Sequence, residues 1–227
     1  MANFEICFSK EGDIKYISHL DVMRMFRRAF KRAGLDLVYS NGFNPHPKLS
    51  IAAPLPLGFT STDEWMDVET KEDFRADNLK QALQQEMPVG ITILEVRAKE
   101  LQPNKANPML AARVTAAKYM IAADLPEQTL AKIQQDTAEQ FLAQEHIFVE
   151  KRQKKKKTMQ KVDIRNKIRS LLLHRVDDKL FLSTLLSTGS ASNLNPSLLL
   201  HAFLAWLDLG TEPLDVEIMR QKLYFDA

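Results

Sequence analysis

The segment KYISHLDVMRMFRRAFKRAGL, residues 15–35, carries a complete set of helix signals. Ser18 can cap a helix, and Asp21 follows three positions later, as in a capping box. The apolar residues that come next recur at steps of three and four and form one stripe: Leu20, Met23, Phe26, Phe30 and Ala33. Gly34 stands where a helix commonly ends. The pattern predicts a helix from Ser18 to Ala33.

The flanking segments place this helix in a repeating order of strands and helices. Short apolar or alternating runs predict strands at residues 3–8, 49–55, 64–70 and 91–100. The segment RADNLKQALQQE, residues 75–86, has the composition of a second helix. The resulting order is β-α-β-β-α-β, which is the split βαβ pattern of a ferredoxin-like domain. We therefore predict such a domain over residues 1–100.

The remainder of the chain shows a similar order after a break. LQPNKANP, residues 101–108, carries two prolines and two asparagines and is predicted to be a linker. Strands are expected at 112–123, 146–151, 179–186 and 216–225, and helices at 126–143 and 197–207. The sequence thus predicts an α+β protein with two tandem ferredoxin-like domains. The second domain, 109–227, carries a basic insertion with a loop at 151–161.

Composition excludes several kinds of chemistry. The single cysteine, Cys7, cannot form an internal disulfide, and this chain alone cannot hold an iron–sulfur cluster. No Walker A loop, dinucleotide fingerprint, HExxH or GxSxG motif is present, so no cofactor or metal is expected. No apolar run has the length of a membrane span, and the first residues do not resemble a secretory signal. A cytoplasmic protein without a membrane partner is expected.

Positive charge is concentrated in two places, although the net charge is only +2. The predicted first helix has four cations at steps of three and four, namely Arg24, Arg27, Arg28 and Lys31. Such a row can follow a phosphate backbone, or it can be a solvated helix face. The run KRQKKKK has six basic residues in seven, which are Lys151, Arg152, Lys154, Lys155, Lys156 and Lys157. They can attach to RNA through phosphates, or form a solvated loop.

A second candidate region is the loop NGFNPHPK, residues 41–48. The two prolines fix their own backbone torsions and keep the preceding residues extended. Such a stiff loop can present side chains to a ligand. Five residues on it are predicted to contact nucleic acid: Asn41, Phe43, Asn44, His46 and Lys48. A rigid connector without a binding role is the alternative interpretation.

The histidines raise the question of catalysis. His19 and Asp21 belong to the first turn of the predicted helix, and His46 lies between two prolines. Any of the three can take part in proton transfer, so they are the candidate catalytic residues. His19 and Asp21 are equally explained as an exposed helix residue and its capping partner. The spacing of these residues does not define a metal site.

Taken together, the motifs resemble a known family. KYISHLDVMRMFRRAFKRAGL, YSNGFNPHPKLSIAAPLPLG and EWMDVE, with VDIRNKI, GSASNLNP and RQKLY later in the chain, are similar to the radical SAM-linked family of uncharacterised bacterial proteins. The resemblance implies association with a radical SAM enzyme. The chain has no CxxxCxxC motif, so it would be the accessory part.

These observations lead to three functional expectations. The first is a non-catalytic accessory protein that binds RNA and works with a radical SAM enzyme. The second is a metal-independent RNA-processing or RNA-modifying enzyme that uses His19 or His46. The third is a protein-binding adaptor for the radical SAM partner.

Overall fold

The structure is a computed structural model that describes residues 1–100, 107–152, 159–207, 213 and 215–226. Ten β-strands and six α-helices lie in the described part of the chain, so the predicted mixed α+β class is confirmed. The chain forms two compact units: one comprises Met1–Val114 and Arg220–Ala227, and the other comprises Thr115–Met219. The sequence predicted domains at 1–100 and 109–227 with a linker at 101–108, and these ranges stay a prediction.

The first unit contains four strands in series and two main helices. In chain order these are β1 (Ala2–Lys10), a 3₁₀ turn (Gly12–Tyr16), α1 (His19–Arg32), β2 (Leu49–Ile51), β3 (Thr60–Thr70), α2 (Ala76–Gln85), β4 (Ile91–Ala98) and the short α3 (Leu110–Arg113). The strands are antiparallel in the order β4-β1-β3, and β2 also pairs with β3. Residues 220–225 of the last strand belong to this unit too.

The core of the first unit lies between this sheet and the helices. Phe4, Ile6 and Phe8 alternate along β1 and are almost completely buried, as expected for one face of a strand. Phe26 of α1 packs edge-to-face on Phe8, with ring centroids 4.8 Å apart. Burial of each large side chain of this kind contributes roughly 1.5–3 kcal/mol. The apolar stripe of α1 is thus what fixes this helix on the sheet.

Local signals determine both ends of α1. The Ser18 hydroxyl accepts a hydrogen bond from the Asp21 N–H at 3.2 Å and donates one to the Asp21 carboxylate at 2.7 Å. Gly34 has a φ of 70°, which an L-amino acid with a side chain rarely adopts. The amide of Leu35 then donates to the Phe30 carbonyl at 2.9 Å. The observed helix agrees with the predicted one.

The second unit contains the remaining elements. They are β5 (Val114–Asp124), α4 (Glu127–Leu130), α5 (Thr137–Leu142), β6 (Phe148–Arg152), β7 (Met159–Asp163), a 3₁₀ turn (Arg165–Lys167), β8 (Ile168–Val176), β9 (Lys179–Ser187), α6 (Pro196–Trp206) and β10 (Val216–Phe225). Three strands pair antiparallel in the order β5-β9-β8, and β6 and β7 form a separate hairpin. The rings of Phe141 and Phe203 pack edge-to-face in its core at 5.3 Å.

One predicted helix is divided in the structure. The segment 126–143 forms α4 and α5 instead of one continuous helix. Between them the hydroxyl of Thr137 accepts a hydrogen bond from the Gln134 N–H at 2.7 Å. Threonine side chains compete in this way with the regular backbone bonds of a helix. The polar stretch Gln134-Gln135-Asp136 has no buried side chain that would hold a continuous helix in place.

Two predicted connections fall largely outside the described residues. For the linker, the structure describes residues 107 and 108 only. For the basic loop, β6 ends at Arg152 and β7 begins at Met159, so Lys154, Lys155, Lys156 and Lys157 lie outside the described residues. No helix in the described ranges has the length and apolar content needed to cross a membrane.

Candidate nucleic-acid interface

The exposed face of α1 carries the four predicted cations together with a fifth, Arg32. Arg24 forms an ion pair with Asp21 at 3.0 Å, and Arg32 binds Glu86 at 2.5 Å. Arg27, Arg28 and Lys31 are exposed and form no ion pair with any described residue. This face of the helix therefore has three positive charges that the described part of the molecule does not neutralise.

A groove of about 620 Å³ runs beside this face. Its wall includes Arg24, Arg28 and Arg32 on α1, and Glu86, Met87 and Pro88, which follow α2. The three arginines are four residues apart, so each is displaced from the next by about 6 Å along the helix axis. Arg28 stands between two arginines that are held by carboxylates. Arg28 is thus the arginine of the groove whose guanidinium group no described carboxylate occupies, and such a group binds phosphate readily.

Asp21 is part of the helix cap. The Ser18 hydroxyl that donates to its carboxylate, together with the Arg24 guanidinium, holds the pKa of Asp21 below its usual value. A carboxylate with a lowered pKa is a poor proton donor near neutral pH. The geometry supports the structural interpretation of Asp21 over the catalytic one.

The loop that follows α1 is closed by hydrogen bonds at its base. The Ser40 N–H donates to the His46 carbonyl at 2.8 Å, and the His46 N–H donates to the Ser40 hydroxyl at 3.0 Å. Tyr39 and Pro47 form an isolated β-bridge just outside this pair. The side chains of Asn41, Asn44 and His46 are exposed, and the Phe43 ring is fully exposed at the tip. The structure thus shows a loop that is closed at its base and presents these side chains to solvent, and its stiffness stays a prediction.

Lys48 has a different environment from the other predicted contacts. Its ammonium group lies 2.7 Å from the Glu69 carboxylate. The Lys48 amide donates to the Val38 carbonyl, and the Lys48 carbonyl accepts from the Glu69 N–H. Lys48 therefore joins the loop to the end of β3, and its charge is already paired.

The two candidate catalytic histidines lie in different segments of the first unit. His19 is the first residue of α1, and the loop that carries His46 begins eight residues after the last residue of the helix. The 14 residues of α1 span about 21 Å. His19 is half-buried beside a cavity of only about 10 Å³, which also contacts Lys10 and Glu64. Within the described residues no hydrogen bond joins either histidine side chain to the other.

Sequence reasoning missed a cluster of buried charges in the first unit. Arg220 and Glu64 are 1% and 2% exposed and form a two-point ion pair, with distances of 2.8 Å and 2.5 Å. Lys10 is 3% exposed, and its ammonium group donates to the carbonyls of Lys15 and Ile17. Burial lowers the pKa of Lys10, and the nearby Glu64 opposes this effect.

Only one of these three charges has a local signal in the sequence. Lys10 continues the alternate positions of the buried face of β1, which indicates an inward side chain. Glu64 and Arg220 are 156 positions apart, and no pattern around either predicts their pairing. Tyr16 and Arg32, which border the α1 face, were also not among the predicted site residues.

A second cleft, of about 490 Å³, lies on the sheet of the first unit and includes Cys7 and Trp65 in its wall. Arg97 stacks over the Trp65 ring at 4.6 Å and also binds Glu95 through two hydrogen bonds. Burial and the neighbouring Asp63 raise the pKa of the Cys7 thiol. A thiol that keeps its proton is a poor nucleophile and a poor metal ligand, so Cys7 has a structural role.

Two of the predicted RNA contacts, Lys151 and Arg152, belong to β6. The structure describes their backbone, but their side chains are outside the described part. No group of three or more histidine, cysteine, aspartate or glutamate side chains among the described residues is arranged to hold a metal ion.

Comparison with solved structures finds a shared fold. A chain in a crystal structure of a Cbf5-Nop10-Gar1 complex aligns with a TM-score of 0.52 and 10% identity, over 97% of the present chain and 48% of that one. The present chain therefore spans about half the length of that relative. An unknown protein from Galdieria sulphuraria aligns over 96% of the present chain and 98% of its own, with 12% identity and a TM-score of 0.26, which is too low to indicate a shared fold.

Comparison of sequences identifies a family. No curated protein matches the chain. Residues 3–196 match the family described as "Uncharacterized protein conserved in bacteria (DUF2344)". This range includes the α1 face, the groove and the loop at residues 40–47. The protein therefore belongs to the DUF2344 family of conserved bacterial proteins.

Proposed function

We propose that this protein is a non-catalytic cytoplasmic accessory protein that binds RNA through the basic face of α1 and works with a radical SAM enzyme. The observation that carries the RNA-binding part is a row of exposed cations, Arg27, Arg28 and Lys31, that form no ion pair with any described residue. Unpaired surface cations release counterions from a phosphate backbone, and this release favours binding. The adjoining loop at residues 40–47 supplies uncharged contacts.

Within the α+β class, we propose that both units are ferredoxin-like. The first unit has the element order βαββαβ and the strand order β4-β1-β3-β2. The second unit has the same alternation once the β6–β7 hairpin is treated as an insertion. Because such folds host many functions, the fold supports no particular activity.

The partner proposal rests on the sequence motifs that resemble the radical SAM-linked family. The chain has one cysteine, so a cluster that needs several thiolates would belong to the partner. Affinity purification of the tagged protein from a bacterium that encodes it tests this part. We expect a co-purifying protein with a CxxxCxxC motif, and its reproducible absence would contradict the partnership.

The RNA-binding part is tested by the dependence of affinity on salt. The Arg27→Ala, Arg28→Ala and Lys31→Ala substitutions are combined, and binding of a fluorescent single-stranded RNA is followed by anisotropy over a salt series. Each lost phosphate contact reduces the slope of log K against log salt by about 0.7, so three reduce it by about 2. The affinity at low salt should fall as well.

A matched control removes the same total charge elsewhere. Lys71, Arg175 and Lys179 each already have a carboxylate partner, namely Asp36, Glu127 and Asp124. Their combined replacement by alanine should leave the salt slope within error of the original protein. An equal loss of slope in the two triple variants would show that only net charge matters, and would contradict the proposed face.

The geometry gives less support to the enzymatic alternative. No hydrogen bond among the described residues joins the His19 and His46 side chains, and the cavity beside His19, of about 10 Å³, is too small to admit a nucleotide. The adaptor alternative shares the loop at residues 40–47 with our proposal. Partner binding that does not respond to salt, in a protein that does not bind RNA, would favour the adaptor.

A further inference from the structure

Two exposed aromatic rings lie on the segments that flank α1 in the chain. Tyr16, two residues before the Ser18 cap, is 64% exposed, and Phe43 is at the tip of the loop that begins eight residues after the helix. Tyr16 was not among the residues singled out from the sequence. The exposed cations of α1 lie between these two rings along the chain.

The backbone beside Tyr16 is held firmly. The Lys15 carbonyl accepts hydrogen bonds from the Gly58 N–H at 2.9 Å and from the buried Lys10 ammonium group at 3.2 Å. The Lys15 ammonium group lies 5.2 Å from the centroid of the Tyr16 ring. The ring therefore projects from a fixed backbone and has a cation next to it. Leu20, which is also 64% exposed, adds apolar surface one turn further along.

The backbone beside Phe43 is held in a similar way. Two hydrogen bonds between Ser40 and His46 close the loop, and Pro45 and Pro47 restrict its torsions. The ring at its tip is open to solvent. A ring on a stiff backbone loses little conformational entropy when a flat ligand stacks on it.

Exposed rings together with cations favour binding of single strands over duplexes. In a duplex the bases are paired and stacked inside, so exposed protein rings find no base surface to cover. In a single strand the bases are accessible, and aromatic side chains stack on them while cations follow the phosphates. The cations of α1 extend along a helix of about 21 Å, and each segment that flanks it in the chain carries an exposed ring.

We infer that the basic face of α1 takes single-stranded RNA, with bases stacked on Tyr16 at one end of the helix and on Phe43 at the other. This inference rests on the proposed RNA-binding function and specifies its substrate class. The exposed cations Arg27, Arg28 and Lys31 contact the phosphates between the two stacked bases.

The experiment compares two probes and two variants. The probes are an unstructured single strand of roughly 12 nucleotides, within the range typical of single-strand binding modules, and a perfect duplex of the same length. The Tyr16→Leu and Phe43→Leu variants keep an apolar side chain and remove the ring. Each should weaken single-strand binding by roughly 5- to 150-fold. Because no charge is lost, the salt slope should stay unchanged.

Tyr224 offers a matched control for the loss of a ring. It is also exposed, and the Lys222 ammonium group lies 5.8 Å from its ring centroid, but it belongs to β10. The Tyr224→Leu variant should bind the single strand as the original protein does. Circular dichroism melts confirm that every variant is folded before binding is measured.

A fluorescent base reports stacking directly. When 2-aminopurine in the single strand stacks on a ring its emission falls, and the Tyr16→Leu and Phe43→Leu variants should each lose part of this quenching. Equal affinity for the duplex, or ring variants that bind as the original protein does, would overturn the inference. If the cation variant still loses its salt slope in that case, the proposed RNA binding stands. If the original protein binds no RNA at all, the proposed RNA binding and the single-strand inference both fail.

Discussion

The buried ion pair between Glu64 and Arg220 gives the sharpest stability prediction. Both side chains are almost completely inaccessible to solvent, and Arg220 also donates to the Ala53 carbonyl at 2.6 Å. Lys10 is a second buried cation close to the same carboxylate. We consider the Glu64→Leu variant, the Arg220→Met variant and the double variant.

Removal of one partner from a buried pair leaves the other charge without compensation. This change costs about 3–5 kcal/mol in unfolding free energy. In the Glu64→Leu variant two buried cations remain, so we expect a loss at the upper end of this range. Additive effects would sum to about 6–10 kcal/mol, but the double variant removes the pair as a whole. The double variant should therefore lose less unfolding free energy than the more destabilised of the two single variants.

The assay is equilibrium unfolding in urea, with a signal specific to the first unit. The chain has two tryptophans, and in a Trp206→Phe background the fluorescence comes from Trp65, which is 7% exposed in the first unit. The slope against urea concentration is compared among variants to verify that the same surface is exposed. Losses that simply add in the double variant would refute the conclusion that the two charges compensate each other.

Three further predictions concern single residues. Burial and the neighbouring carboxylate raise the pKa of Cys7 above its ordinary value of 9.0. The stabilisation by the protonated thiol is therefore complete below pH 9.0 and is lost as the pH rises above it. A Cys7→Ala variant should lose less thermal stability than the original protein between about pH 8 and about pH 10. Hydrogen bonds, first that from the Arg165 N–H, lower the pKa of Asp163 from 3.8 to about 2. Its stabilising contribution should thus persist above 3.8 and disappear as the pH falls toward 2, and a carboxyl NMR titration with a midpoint near 3.8 would contradict this. A β-carbon on Gly90, where φ is 94°, would lie 2.5 Å from the Glu11 carbonyl oxygen. The Gly90→Ala variant should therefore lose about 1–3 kcal/mol of unfolding free energy, measured by urea unfolding. An unchanged urea midpoint would argue against the close approach.

The parts of the fold that depend on neighbouring residues could be predicted from the sequence. The limits of α1 follow from Ser18 and Gly34, whose effects are local, and the observed helix has the predicted limits. The prolines of the loop at residues 40–47 likewise predict stiffness without knowledge of the rest of the chain. The break between α4 and α5 was not predicted, because a single side-chain hydrogen bond there outweighs a weak helical pattern.

The parts that depend on distant residues could not be predicted. A carboxylate on β3 and a guanidinium on β10 have no common sequence signal, and their pairing exists only once the strands are placed. Similarly, the cations of α1 were visible as a row, but the sequence could not show which of them are paired. Glu86 binds Arg32 across 54 residues, and this pairing leaves Arg28 as the central unpaired charge of the groove.

The return of residues 220–226 to the first unit has a consequence for biosynthesis. A ribosome makes the chain from its N-terminal end, and domains generally fold as units in that order. Glu64 emerges long before Arg220, so its carboxylate lacks its guanidinium partner until β10 is made. Nascent chains that stop before Arg220 would thus remain incompletely folded and accessible to proteases. The ion pair couples completion of the first unit to synthesis of β10.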